Sequence, residues 1–328
     1  VETSQTAAGQ QSAFAYLRHG QTPFFRLPSA ARGEAGEPAY ADADAVLLGV
    51  PWDGGTPVQA GARLGPYHVR RASAFVQTFH PSHRLDVFAA LRAVDGGNVA
   101  FPPSQPAVVR AQVEAEVARI VAAGALPFLV GGDHSVALPA LRAVAARHGP
   151  LAVVHVDAHL DTSDGELWGD AFHHGTPLRH ALREGLVARG QLFQIGIRAS
   201  SADAAEAEYP VQFGARGFSI DALAARGAAT VAAEVRRAVG DRPVYLTFDV
   251  DAVDPAFAPG TGSPVPGGMS AREALALIRA LAGVKLVGMD VVEVCPPLDH
   301  AEITSHLAAH VLFEGLAIAV LGRRPLAA

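Results

Sequence analysis

Leu151-Ala152-Val153-Val154-His155-Val156, followed at once by Asp157-Ala158-His159-Leu160-Asp161-Thr162, decides the reading of this chain. An apolar, β-branched run reads as a strand. It does not alternate between apolar and polar, so both of its faces are expected to be covered, as in a parallel sheet between helical layers. Carboxylates and imidazoles begin where that strand ends, and in such sheets ligands bind beyond the carboxyl ends of the strands.

Two other segments repeat the arrangement. Residues 126–130 lead into Gly131-Gly132-Asp133-His134-Ser135, and residues 244–248 lead into Asp249-Val250-Asp251-Ala252-Val253-Asp254-Pro255. Side chains alternate along an extended chain, which places Asp157, His159 and Asp161 on one side and pairs Asp249 with Asp251. With His134 they form a set of six candidate metal ligands, two imidazoles and four carboxylates. Singly, each cluster reads as a helix cap or a hydrogen-bonded core histidine. Together they would be costly to bury without cations. A catalytic zinc usually takes three protein ligands, so six are read as holding two divalent ions. Oxygen-rich ligation with imidazole suits Mn2+, with Ni2+, Co2+, Fe2+ and Zn2+ left open, and a two-metal site activates a shared water as hydroxide.

Working outward, strand candidates fall at 45–50, 91–94, 126–130, 151–156, 192–197, 217–220, 244–248 and 286–294. Helical patterns at 107–123, 135–147, 177–187, 231–239 and 270–281 lie between them. The alternation predicts an α/β protein, a mostly parallel sheet layered between helices. Residues 255–268, rich in Pro and Gly, are expected to form a long loop beside the site. Residues 1–40 are expected to be a partly flexible arm and 41–328 a single catalytic domain.

Composition narrows the function. The chain has 328 residues, half of them apolar, and a net charge of −6. No concentrated basic face suggests nucleic acid. Cys295 is the single cysteine, which excludes an internal disulfide and points to a reducing cytoplasm. The apolar stretch 307–321 is shorter than the roughly 20 residues of a bilayer span and is expected to be a buried terminal helix rather than a membrane anchor. Residues 1–12 lack the basic start and apolar core of a secretory signal. Lys285, the only lysine, sits at the approach to a strand, poorly placed for Schiff-base chemistry.

The three clusters, with Gly49-Val50-Pro51-Trp52-Asp53-Gly54-Gly55, Gly61-Ala62-Arg63-Leu64-Gly65-Pro66, residues 255–262 and residues 293–304, resemble the ureohydrolases, the arginase and agmatinase family. The resemblance runs from about Pro23 to the end of the chain. It implies an eight-stranded arginase-like sheet, a binuclear manganese centre on His134, Asp157, His159, Asp161, Asp249 and Asp251, and a homotrimer or homohexamer. It further implies a catalytic set of Glu293, His174 and Asp161, in which Glu293 clamps a guanidinium and His174 hands a proton to the departing amine. Leu160 departs from the family pattern, in which a small or hydroxyl residue is more usual, and is expected to point away from the ions.

The implied substrate is a small cationic guanidino compound, with agmatine to putrescine the leading case because residues 300–304 and the Gly260-Thr261-Gly262 loop resemble agmatinases more than arginases. Guanidinobutyrate, guanidinopropionate and other guanidines stay open. For the substrate's far end, Asp164, Glu166 and Asp170 would suit an ammonium and Arg26 a carboxylate. Around the site, His155, Asp133, Asp254 and Asp290 are read as supporting groups, Arg198 as an internal ion-pair partner, and His173 and His300 as without catalytic role. Two other classes compete. A thiol-dependent guanidine-modifying enzyme would use Cys295, and a non-catalytic subunit would bind metal without turnover.

Overall fold

In the computed structural model, which describes residues 22–32, 38–165 and 168–323, all eight strand candidates form and join one sheet. They are β1 (Ala45–Val50), β2 (Ala93–Asn98), β3 (Leu126–Gly131), β4 (Leu151–Val156), β5 (Val187–Ile197), β6 (Arg216–Ser219), β7 (Pro243–Asp249) and β8 (Lys285–Val292). Their order is β6-β5-β4-β7-β8-β3-β1-β2, and every pairing is parallel. All carboxyl ends therefore lie along one edge. The three clusters and Glu293 follow β4, β7, β8 and β3, four consecutive neighbours at the centre of the sheet.

Helices cover both faces because the strand runs are apolar on both. On one face pack α1 (Gly65–Ser73) through Val69 and Ala72, α6 (Ile220–Arg226) through Leu223, α7 (Ala228–Val239) through Val231 and Val235, α8 (Ala271–Ala280) through Leu277 and Ile278, and α9 (Ile303–Arg323) through Leu312 and Leu316. On the other lie α2 (Pro106–Ala122) through Val113 and Val117, α3 (Ala137–His148) through Leu138 and Leu141, and α4 (Pro177–Arg183) through Leu178 and Leu182. A further short helix, α5 (Ala204–Gln212), follows β5.

Local chemistry sets the boundaries. α8 opens on a capping box in which Ser270 and Glu273 satisfy each other's backbone N–H groups. α4 stops at Arg183, short of the expected 187, because Gly185 takes a left-handed φ of 70°. β5 then begins at Val187, five residues before the sequence pattern suggested. β8 ends at Val292 rather than 294 because Glu293 turns to φ 63°.

α9 is the one described helix long and apolar enough to cross a membrane, but it is 83% buried inside the protein. It is the buried terminal helix expected of 307–321. Its Glu314 is paired inside the protein, accepting from His80 at 2.9 Å and from Arg279. The expected arm at 1–40 is anchored at its described end. Phe24, Phe25 and Leu27 are buried, and the Phe25 ring packs on Phe88 and Phe313. Residues 1–21 lie outside the described residues.

Candidate metal centre

The centre is built on the four central strand ends. β3 ends at Gly131, and the chain turns sharply through Gly132. A Cβ there would lie 1.4 Å from the Trp52 carbonyl oxygen, so only glycine fits. Asp133 then caps the following turn, accepting from the Ser135 N–H at 2.9 Å, and His134 enters the centre.

The imidazole of His134 is fixed by a buried relay. Thr247 donates its single hydroxyl proton to Asp290 Oδ1 at 2.6 Å, and Tyr245 donates to Oδ2 of the same carboxylate at 2.7 Å. His134 Nε2 lies 2.7 Å from the Thr247 oxygen, which has no proton left to give, so Nε2 must carry the hydrogen. In the neutral ring that leaves Nδ1 as a bare lone pair facing inward.

Around Nδ1 stand three carboxylate oxygens, Asp161 Oδ2 at 2.8 Å, Asp157 Oδ2 at 3.1 Å and Asp249 Oδ2 at 3.2 Å. Nδ1 of His134 and Oδ2 of Asp161 are both buried with no hydrogen-bond partner. Burial disfavours the His134 cation, but Asp161, Asp157 and Asp249 outweigh it and raise its pKa well above the usual imidazole value, so the short separation is one that either a proton or a shared divalent cation would satisfy. Ligand atoms bonded at about 2.0–2.2 Å around one ion stand roughly 3 Å apart, as these do.

A second group adjoins the first. His159 Nδ1 lies 2.9 Å from Asp251 Oδ2 and 3.5 Å from Asp157 Oδ1. Asp157 thus offers one oxygen to each group. Both groups use the same donor types, and the six predicted ligands are brought together as a set that fits two divalent cations.

The convergence does not arise as the sequence suggested. β4 ends at Val156, so Asp157, His159 and Asp161 do not share a face of an extended strand. A left-handed backbone at Asp161, φ 53°, swings its carboxylate back toward His134. Asp251 likewise sits in a 3-10 turn, its N–H donating to Asp249 Oδ1 at 2.8 Å. Crowding of charge shows in the titration of the cluster. Burial and the charges of Asp251 and Asp157 push Asp249 well above the usual carboxylate range. Burial disfavours the His159 cation, but Asp251 and Asp157 outweigh it and raise its pKa to about 12. Protons and divalent cations compete for these donors.

His155 also brings Nε2 close to the first group. Its Nδ1 accepts from Gln194 at 3.2 Å, so Nε2 carries the hydrogen and donates to Asp157 Oδ2 at 2.8 Å. His155 therefore orients a ligand.

Beside the centre, Glu293 Oε1 accepts the backbone N–H of His134 at 2.8 Å and lies 3.1 Å from His174 Nδ1. His174 is placed by its own N–H donating to the Gly55 carbonyl at 3.0 Å. Burial opposes charging its ring, but the hydrogen bond and charge of Glu293 prevail and raise its pKa to about 9. Both residues line a cleft of about 380 Å3 that opens over the ligands.

Residues 43–317 match the arginase family. The chain belongs to the arginase family. It is 40% identical over 295 residues to proclavaminate amidinohydrolase of Streptomyces clavuligerus, covering 90% of this chain and 92% of that one. The solved structure of that amidinohydrolase superposes with a TM-score of 0.86 at 39% identity, covering 92% of this chain and 98% of the other. Guanidinopropionase of Pseudomonas aeruginosa is 42% identical over 284 residues, covering 86% and 89% of the two chains. Agmatinase of Escherichia coli is 40% identical over 284 residues with the same coverage. The eight-stranded arginase-like sheet and the binuclear metal site of a metal-dependent ureohydrolase are thus shown from both directions.

Within this arginase-family cleft several expectations are corrected. Arg26 does not reach it. Its guanidinium is buried in its own chain, donating to the carbonyls of Ala74 and Val76, because the flanking Phe24 and Phe25 bury the arm in the core. Asp164 and Asp170 are exposed and do not line the cleft, and Asp170 accepts from the Phe172 N–H at 2.9 Å. Glu166 lies outside the described residues. Arg198 donates to the carbonyls of Asp251 and Ala252 and to that of Val265 rather than to a carboxylate, tying the loop after β7 to the site. Leu160 lines the cleft wall. Cys295 is fully buried and absent from the cleft lining, and burial pushes its thiol up to about 11, which makes it a poor nucleophile.

The cleft also contains residues that the sequence reading passed over. Trp168, Ser200, Ser201, Ser263 and Glu206 line its outer part. Among the described lining residues there is no lysine or arginine. No sequence signal announced Glu206, which follows β5, the neighbour of the site-bearing β4 in the folded sheet.

Proposed function

We propose that the chain hydrolyses the guanidinium group of a small substrate to urea and an amine, with agmatine to putrescine the leading case and two manganese ions as cofactor. The observation that carries this reading is the His174–Glu293 pair, 3.1 Å apart at the edge of the candidate ligand cluster, in a cleft whose described lining supplies carboxylates and no lysine or arginine.

A guanidinium carbon is a weak electrophile because the cation is resonance-stabilised and stays protonated. Bound divalent ions supply a water acidic enough to attack it near neutral pH. In this reading Glu293 holds the planar cation through a charge-assisted hydrogen bond. Its other constraint, the bond from the His134 backbone, fixes the carboxylate relative to the ligands. His174 carries a ring proton beside that site. Water adds to the guanidinium carbon, the bond to the substituted nitrogen breaks, and a proton passes to the departing amine as urea forms. The buried anionic cluster favours entry of a cation.

The likeness to an agmatinase supports agmatine. The likeness to a guanidinopropionase supports the alternative, a guanidino acid such as guanidinopropionate or guanidinobutyrate. Assembly as a homotrimer or homohexamer belongs to the same proposal, supported by Tyr67, Phe75 and Ile303, large apolar side chains exposed near α1 and the start of α9. A cytoplasmic location is proposed with it, resting on the lone reduced cysteine.

The test is urea release by protein loaded with manganese, and in parallel with nickel, from agmatine, guanidinobutyrate, guanidinopropionate, arginine and guanidine. A dominant rate on agmatine bears the proposal out. Preference for a guanidino acid replaces the substrate and keeps the reaction, and metal-loaded protein that releases urea from none of them overturns the reaction.

A further inference from the structure

We infer that Glu206 selects the substrate by the charge at its far end, reserving the cleft for guanidines that carry a second cationic group. The inference rests on the guanidine-hydrolase reading above and adds a specificity-determining residue to it.

The carboxylates lining the cleft divide in two. Asp161, Asp249, Asp251 and Glu293 are buried and belong to the metal centre and its flank. Glu206 stands apart from them on α5, half-buried, and shares the cleft lining with Ser200, Ser201, Ser263 and Trp168. Its carboxylate is held in place, since Oε2 accepts the backbone N–H of Ala202 at 2.6 Å. No described residue bonds Oε1, and no lysine or arginine is among the described residues that line the cleft.

The start of α5 would otherwise attract an anion, because unsatisfied N–H groups at a helix N-terminus favour negative charge. Here that end is already served by acidic side chains. Asp203 accepts the N–H of Glu206 at 2.9 Å, and Glu206 accepts that of Ala202. A substrate carboxylate arriving there would meet the like charge of Glu206, with no lysine or arginine among the described lining residues to offset it. An ammonium would meet a fixed carboxylate with a free oxygen, in a cleft with an exposed indole beside it.

Glu206→Gln retains an oxygen for the Ala202 N–H and removes the charge. Steady-state urea release is measured for this variant and for the unaltered protein with three probes, namely agmatine, butylguanidine as its uncharged-tail counterpart, and guanidinobutyrate. The expected result is a fall of about tenfold in kcat/KM on agmatine, the loss expected of one charge-assisted contact, carried by KM, with less than about a twofold change on butylguanidine. An equal fall on agmatine and butylguanidine would make Glu206 a helix cap only and overturn the inference. So would an unchanged agmatine KM, or a preference of the unaltered protein for guanidinobutyrate. Absence of turnover by the unaltered protein on all three probes would instead strike at the reaction itself, and the inference would fall with it.

Discussion

Glu293 and His134 are joined by a 2.8 Å hydrogen bond from the His134 backbone N–H to Glu293 Oε1, although 159 residues separate them in the chain. The bond exists because β8 and β3 are neighbours in the sheet. It sets the distance between the proposed guanidinium clamp and a candidate metal ligand. Glu293→Gln should retain the acceptor and lose the charge. We expect full metal content by elemental analysis with kcat/KM down by about 10²–10³. Activity within a few-fold of the unaltered protein would remove Glu293 from the mechanism.

Asp157 offers an oxygen to each ligand group, whereas Asp161 serves only the His134 side. Asp157→Asn is therefore expected to weaken both ions, and Asp161→Asn chiefly one. Metal-to-protein ratios after gel filtration in limiting manganese check this, and equal losses in the two variants would contradict the shared role of Asp157.

His174→Asn should lower kcat by about 10²-fold or more, in the range for loss of a positioned proton donor. KM should move little, and metal content should not move at all, because His174 is not among the ligand groups. A drop in bound metal would show that the residue is structural to the centre instead.

Gly132→Ala places a methyl group on the Trp52 carbonyl, backbone against backbone. Neither side has a flexible end to yield. Destabilisation of about 3 kcal/mol or more is expected, read from the denaturant midpoint at constant slope. A loss under about 1 kcal/mol would mean the turn before His134 rebuilds easily.

Asp44 ties the start of β1 to Arg92 at 3.1 Å and to Arg323 of α9 at 2.8 Å. Burial would raise its carboxyl, but those two arginines outweigh the burial and hold it down to about 2. The unfolded value is near 3.9. A depressed folded pKa contributes stability above the unfolded value, and that contribution drains away as pH falls from about 4 toward about 2. Asp44→Asn should thus be less stable than the parent at pH 7, with the gap in denaturant midpoint narrowing as pH falls from about 4 toward about 2. A gap independent of pH would show that the arginines contribute nothing there.

The central architecture was legible because its strands are uninterrupted apolar runs. β1 and β4 fall where the pattern put them. β2 did not, for it starts at Ala93 and runs through Gly96 and Gly97, residues that a pattern of β-branched chains does not recruit. α5 contains Pro210 and buries almost nothing else, so no apolar stripe announces it. At the site, the structure brings the donor atoms of the six candidate ligands close together, and all six could be named from type and spacing. The backbone that gathers them could not, since Asp161 and Glu293 adopt left-handed φ values that neither residue prefers. Arg26 was misplaced for the opposite reason: the arm was expected to be partly flexible and so free to fold over the pocket, yet Phe24 and Phe25 are fully buried and carry the arginine inward with them. Glu206 was invisible because its position depends on where the segment after β5 folds over the cleft.

The sheet order has a consequence in time. β3 and β4 are early in the chain, yet they never touch, because β7 and β8 lie between them. Until the last third of the polypeptide has emerged and threaded those two strands into the gap, His134 and Asp161 have no reason to face each other, and Asp249 and Asp251 do not yet exist. A chain that stops before β7 still carries Asp157, His159 and Asp161 but lacks Asp249 and Asp251, so neither donor group is complete. Capture of the ions is thus postponed to the finished protein, and tight metal retention becomes a certificate that synthesis and folding were both completed.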